Sequence, residues 1–263
     1  MAPRGPERAI VAGRGVLPDL LLEAGPAYVV AFAGVPVAAQ GAGRIDARFE
    51  RLGQLFADLA AAGVRDVCFA GAMTRPPLDP AAMDEVTKAL VPRLMQAMSR
   101  GDDALLRDVA ALFEERGLAV LGAREVRGDL VARPGRLAGA PLPEADVARA
   151  RAVLDALGPL DVGQGAVAAR GQVLGIETLQ GTDAMLRFVA ETAPDSGGVL
   201  VKRPKAGQDL RLDMPAIGPE TVRAAARAGL RGIEISAGEV LLLGPDEVLA
   251  ACAETGLSLW AAP

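Results

Sequence analysis

Short apolar runs that end in glycine, alternating with amphipathic helices, constrain this chain more than any other feature. Arg8-Ala9-Ile10-Val11-Ala12 reads as a buried strand, followed by the turn Gly13-Arg14-Gly15-Val16-Leu17-Pro18. Leu20-Leu21-Leu22-Glu23 begins a helix, and Ala27 to Phe32 is a second strand. Phe49 to Ala62 is a helix with apolar positions at Leu52, Leu55, Phe56 and Leu59, the spacing of one helical face. Asp66 to Ala70 is a third strand, ending in Gly71, with helices over 81–99 and 102–116 and a strand over 118–121 beyond it. Buried strands separated by helices form a parallel sheet covered on both faces. A Rossmann-like N-terminal domain over residues 1–132 is therefore expected.

The stretch after Val131 is rich in Pro, Gly, Ala and Arg, and residues 133–143 are expected to link two domains. Residues 144–263 read as a C-terminal mixed α/β catalytic domain. A helix over 144–157 precedes a hairpin, Gly165 to Ala169 and Gln172 to Glu177, turning at Arg170-Gly171. A helix over 182–192, strands over 198–202 and 209–213, and a helix over 219–228 follow. Gly232 to Ile235 and Glu239 to Leu243 read as another hairpin, and 245–254 as the last helix. The fold class is thus α/β: a parallel-sheet domain followed by a mixed one.

The 263 residues include no histidine. That removes Ser-His-Asp hydrolases, Cys-His proteases, histidine bases and the usual zinc sites. A catalytic metal must then be held by oxygen, which points to Mg²⁺ or Mn²⁺, and a general base is expected to be a carboxylate. The formal charge of −5 argues against nucleic acid as a partner. Cys68 and Cys252 lie in apolar settings and read as reduced thiols of a cytoplasmic protein. Met1 to Arg8 lacks the apolar core of a signal peptide, and no run approaches the roughly 20 apolar residues of a spanning helix. A soluble protein that can touch a membrane surface is expected.

Several residues could carry chemistry, and each also has a plain structural reading. Gly13 and Gly15 can bring backbone close to a phosphate, or simply turn a strand into a helix. Thr74 and Arg75 follow a strand end, where ligands of open parallel sheets lie, or belong to a connecting loop. Gln164 stands between two glycines, where an amide can read a base or sugar, or leads into a hairpin. Thr182 and Asp183 cap and charge a helix start; a bound phosphate there would need a cation beside the carboxylate. Two of only three lysines, Lys202 and Lys205, sit together in a chain with twenty-five arginines. They are compact phosphate binders or a solvated strand edge. Arg211 and Asp213 follow in a run that alternates charged with apolar residues, and Glu177 closes the hairpin.

Together these residues match a family. Leu160-Asp161-Val162-Gly163-Gln164-Gly165-Ala166-Val167, then Glu177, then Gly181-Thr182-Asp183-Ala184-Met185-Leu186, then Lys202 to Pro215 with Ile217-Gly218, resemble the LpxI-type UDP-2,3-diacylglucosamine pyrophosphatases. The turn Ala12 to Pro18, Phe69-Ala70-Gly71 with Arg75-Pro76, and Gly101-Asp102-Asp103-Ala104-Leu105-Leu106 resemble further motifs of that family, in its order. The resemblance covers nearly the whole chain. Arg14 departs from the family's frequent triple-glycine turn, Arg124 stands where relatives often carry histidine, and Arg203 and Ala206 depart from the commoner K-x-P-K-P pattern.

The resemblance implies an enzyme of lipid A biosynthesis. It would hydrolyse the pyrophosphate of UDP-2,3-diacylglucosamine to UMP and 2,3-diacylglucosamine 1-phosphate, with Mg²⁺, using two domains that enclose the substrate. It also implies that Asp213, in the place of the aspartate of the family's R-x-D-x-P motif, is essential. On that footing Asp213 binds the metal or positions the attacking water, and Asp183 and Glu177 share the metal. Lys202, Lys205 and Arg211 hold pyrophosphate oxygens, and Gln164 and the Gly13–Gly15 turn contact the uridine side. Peripheral contact with the inner membrane and a homodimer are further expectations. Two other classes stay open on the residues alone: a non-catalytic nucleotide-sugar or lipid-binding module, and a nicotinamide-dependent oxidoreductase.

Overall fold

In the computed structural model of the protein, which describes residues 5–73 and 77–263, five parallel strands build the N-terminal sheet. They are β1 (Arg8–Ala12), β2 (Tyr28–Phe32), β3 (Gly43–Ala47), β4 (Asp66–Ala70) and β5 (Ala119–Leu121), in the order β3-β2-β1-β4-β5. The helices are α1 (Leu17–Leu22), α2 (Leu52–Ala61), α3 (Glu85–Met98), α4 (Asp102–Glu114) and α5 (Ala123–Val126). Ala9, Val11, Val30, Phe32 and Val67 pack against Leu55, Phe56 and Leu59 of α2 and Leu112 and Phe113 of α4. The continuous apolar runs are thus buried by the helices that separate them, as the sequence pattern requires. β3 was not legible as a strand. It is an edge strand whose Ile45 and Ala47 face the core while Arg44 and Asp46 face out, joined by a 2.8 Å ion pair.

One carboxylate ties two helix starts together. Asp84 caps α3 by accepting from the Thr87 amide at 2.7 Å, and its other oxygen accepts from the Gln54 amide of α2 at 3.2 Å. Burial acts to raise its pKa, but these hydrogen bonds outweigh it and hold the carboxyl below its ordinary value.

The C-terminal sheet is mixed. Its strands are β6 (Gly135–Ala138), β7 (Gly165–Ala169), β8 (Gln172–Ile176), β9 (Val199–Lys202), β11 (Gly232–Ser236) and β13 (Ser258–Ala262), in the order β6-β13-β11-β9-β7-β8. β9, β11 and β13 are parallel; β6, β7 and β8 run antiparallel to their neighbours. Two short strands, β10 (Ala216–Ile217) and β12 (Leu241–Leu242), pair separately and in parallel. The helices are α6 (Glu144–Leu157), α7 (Gly181–Thr192), α8 (Pro219–Arg227) and α9 (Pro245–Thr255). α6 covers the face that shows Ala166, Ala168, Val199 and Val201. α7, α8 and α9 cover the opposite face, with Val167, Leu200, Ile233 and Leu259. The expected α/β class, parallel sheet first and mixed domain second, is what the chain adopts.

The hairpin at Arg170-Gly171 forms as read. Both residues have positive φ, 51° and 76°, the twist that joins two strands by two residues, and Asp146 accepts from the Gly171 amide at 2.8 Å. Three readings differ. Residues 232–243 form no hairpin, because β12 pairs with β10 while β11 lies inside the large sheet. Asp209 to Asp213 is a turn rather than a strand. Its two leucines do not share a sheet face: Leu210 lines a cavity of the C-terminal unit, and Leu212 packs on the N-terminal core. Residues 133–143 carry β6, an edge strand paired antiparallel with β13. By compactness the chain divides into Met1–Gly128 with Arg211–Asp213, and Asp129–Leu210 with Met214–Pro263.

Candidate functional site

In the N-terminal unit the two strand-end turns that read as ligand loops close on each other. The Gly13 amide donates to the Ala70 carbonyl at 2.7 Å, and Arg14 and Ala72 exchange amide bonds at 2.8 and 2.9 Å. A Cβ on Gly13 would lie 2.6 Å from the Ala72 carbonyl oxygen, and one on Gly71 2.6 Å from that of Arg14. Gly13 is therefore glycine because another backbone occupies its side-chain space, at the very point where a Rossmann-ordered sheet takes its cofactor pyrophosphate. Gly15 differs: its φ is +103° and a Cβ there would meet nothing within 4 Å. Thr74 and Arg75 lie outside the described residues. Arg211 belongs to this unit and pairs with Glu114 at 2.8 Å, and Asp213 belongs to it also.

The C-terminal unit gathers Gln164, Glu177, Thr182, Lys202 and Lys205 around three strand ends. Lys202, the last residue of β9, is about 5% exposed. Its ammonium donates to both oxygens of Glu177, at 3.2 and 3.0 Å, and to the Thr182 hydroxyl at 2.5 Å. That hydroxyl donates to Glu177 Oε2 at 2.9 Å. The Glu177 amide donates to the Gly165 carbonyl at 2.8 Å. Two glycines make room for this residue. A Cβ on Gly163 would lie 2.0 Å from the Glu177 carbonyl oxygen, and one on Gly165 2.6 Å from its Oε2. The run Gly163-Gln164-Gly165 is thus a cradle for Glu177. Gln164 stands between them, and its carbonyl accepts from the Arg203 amide at 2.9 Å.

The basic loop continues from there. Lys205 pairs through its ammonium with Asp161, which has a left-handed φ of 57°, and its amide donates to Gln208 Oε1 at 3.0 Å. Arg203 pairs with Asp155 of α6 at 3.2 Å. A cavity of about 280 Å³ lies here, lined among others by Asp155, Arg203, Lys205, Gln208 and Glu239. The sequence reading missed Asp161 as the partner of Lys205; its only signal was a polar residue ahead of a glycine turn. Thr182 is not the cap that it resembles: α7 begins at Gly181 after Gln180, and the Thr182 hydroxyl serves Glu177 and Lys202. Asp183 is in the first turn of α7.

In this geometry both Glu177 oxygens accept from the buried Lys202 ammonium, and the donors of Lys202 face Glu177 and Thr182. Among the described residues, no three acidic or cysteine side chains come together as a metal set. Cys68 and Cys252 are both buried and unpaired, and burial pushes the Cys68 thiol up to about 12.

Fold and cluster define a two-domain α/β protein whose polar side chains converge at the strand ends of the second domain. Sequence models of two domains match consecutive parts of it: the LpxI N-terminal domain over residues 7–130 and the LpxI C-terminal domain over residues 136–260. The UDP-2,3-diacylglucosamine pyrophosphatase LpxI of Caulobacter vibrioides is 42% identical over 222 residues, covering 81% of this chain and 79% of that protein. The chain belongs to the LpxI family.

Proposed function

We propose that the protein hydrolyses the pyrophosphate bond of UDP-2,3-diacylglucosamine, releasing UMP and 2,3-diacylglucosamine 1-phosphate, a step of lipid A biosynthesis. The 42% identity to a relative of that name, running through both domains, carries this reading. Exposed apolar side chains support an acylated substrate: Leu160, Ile176 and Leu179 lie within one or two chain positions of Asp161, Glu177 and Gln180.

Hydrolysis of a phosphoanhydride needs charge neutralisation and an oriented water more than covalent help. Asp213 is the residue proposed to act on the water or on a divalent ion. Lys205 and Arg211 are proposed to meet pyrophosphate oxygens, giving up or sharing Asp161 and Glu114 when they do. Gln164 and the Gly15 backbone are proposed to face the nucleotide. Mg²⁺ is commonly held by one or two carboxylates together with substrate phosphates. Asp213 and Asp183 are the carboxylates proposed for it.

Release of UMP, assayed with Mg²⁺ and with EDTA, tests the activity and the metal dependence together. Asp213→Ala is expected to lower turnover at least about 10³-fold, the scale of losing a group that acts only in the transition state, while substrate binding persists. Near-normal turnover would sink the assignment. A binding module would take up the substrate and release no UMP. Among the described residues no helix is long and apolar enough to cross a membrane. Peripheral contact and a homodimer remain part of the proposal, checked by vesicle sedimentation and light scattering.

A further inference from the structure

A buried ion pair contributes little to stability against an apolar pair of the same volume, because both charges are stripped of water. Lys202 and Glu177 are nevertheless buried together, and two glycines are kept beside them so that the carboxylate fits. The network they form with Thr182 joins three segments. Glu177 follows β8 and is bonded through its amide to the Gly163–Gly165 turn; Thr182 is in the first turn of α7; Lys202 ends β9, just before the basic loop. Those segments carry Gln164, Asp183 and Lys205. We propose that Lys202, Glu177 and Thr182 are positioning residues: their hydrogen-bonded network sets the registration of the loops that bear Gln164, Asp183 and Lys205, and none of the three binds phosphate or metal. This rests on the hydrolase reading above.

The decisive variant removes both charges at once. Lys202→Met with Glu177→Leu replaces the pair by apolar side chains of similar size, which a fold tolerates or prefers. The double variant is expected to melt at or above the wild-type temperature, to lose about tenfold to a hundredfold in kcat, the cost of loop displacements near 1 Å, and to hold KM within about threefold. Glu177→Gln and Lys202→Met alone are expected to lose kcat to a similar extent, with the double variant no worse than the poorer single one. Gly165→Ala is a third route, since its Cβ displaces the carboxylate without changing any charge. It keeps the proposal testable if a lone buried charge unfolds either single variant.

A double variant with wild-type kcat would reduce the network to a fold element and overturn the proposal. So would Glu177→Gln at full activity beside a Lys202→Met variant whose KM has risen tenfold, the mark of a phosphate clamp. A rise in the Mg²⁺ concentration needed by Glu177→Gln would return Glu177 to the metal. Wild-type protein that releases no UMP would sink the hydrolase reading itself, and with it this proposal. Active wild-type with an equally active double variant would sink the proposal alone.

Discussion

Gly13-Arg14-Gly15 and Gly163-Gln164-Gly165 are spelled alike and follow the same logic of close approach, yet they differ in what approaches. In the first, a neighbouring turn fills the space at Gly13, and backbone meets backbone. In the second, Glu177 fills the space at Gly163 and Gly165, and its carboxylate is delivered to a buried lysine. A glycine whose Cβ space is taken therefore reports that something comes near, while Gly15 answers only to its positive φ; the partner decides whether that something has chemistry.

Substitutions can break this comparison. Gly163→Ala meets both a Cβ contact of 2.0 Å and a φ of +61°, so it is expected to cost about 3 kcal/mol or more in urea unfolding and to take activity with it. Gly13→Ala has the crowding without the positive φ and is expected to cost about 1–3 kcal/mol. Gly15→Ala has the positive φ without the crowding and is expected to cost about 1 kcal/mol. If Gly15→Ala proved the costlier of the two, the closed turn would be wrongly described.

The smallest effect concerns Asp84, which does for two helix starts what Glu177 does for loops. Asp84→Ala is expected to lose about 1 kcal/mol at neutral pH. Because the folded carboxyl titrates below its ordinary value, that contribution is present above the usual range, near 3.9, and disappears as pH falls through the depressed one. Unfolding curves of wild type and variant should therefore converge in acid. A gap that persists at low pH would assign the stability to packing instead.

The parallel sheet was legible because each of its core strands is a continuous apolar run, a signal local to the strand. The Arg170-Gly171 hairpin was legible for the same reason. What escaped depended on partners far along the chain. Glu177 and Lys202 are twenty-five positions apart, and nothing in either segment says that their charges meet in a dry interior. Thr182 carries the spelling of a cap and does other work. The alternation in Asp209 to Asp213 suggested a strand because leucines two apart usually share a face; here Leu210 lines a cavity of one unit and Leu212 packs on the core of the other.

The turn bearing Asp213 also bears on modularity. Its three residues, Arg211–Asp213, are grouped with the N-terminal unit although their sequence lies deep in the C-terminal half. The LpxI C-terminal domain match runs straight through them. A gene cut near residue 129 would hand one fragment the aspartate and the other the core on which Leu212 rests. Neither fragment alone would hold Asp213 in the setting that the whole chain gives it.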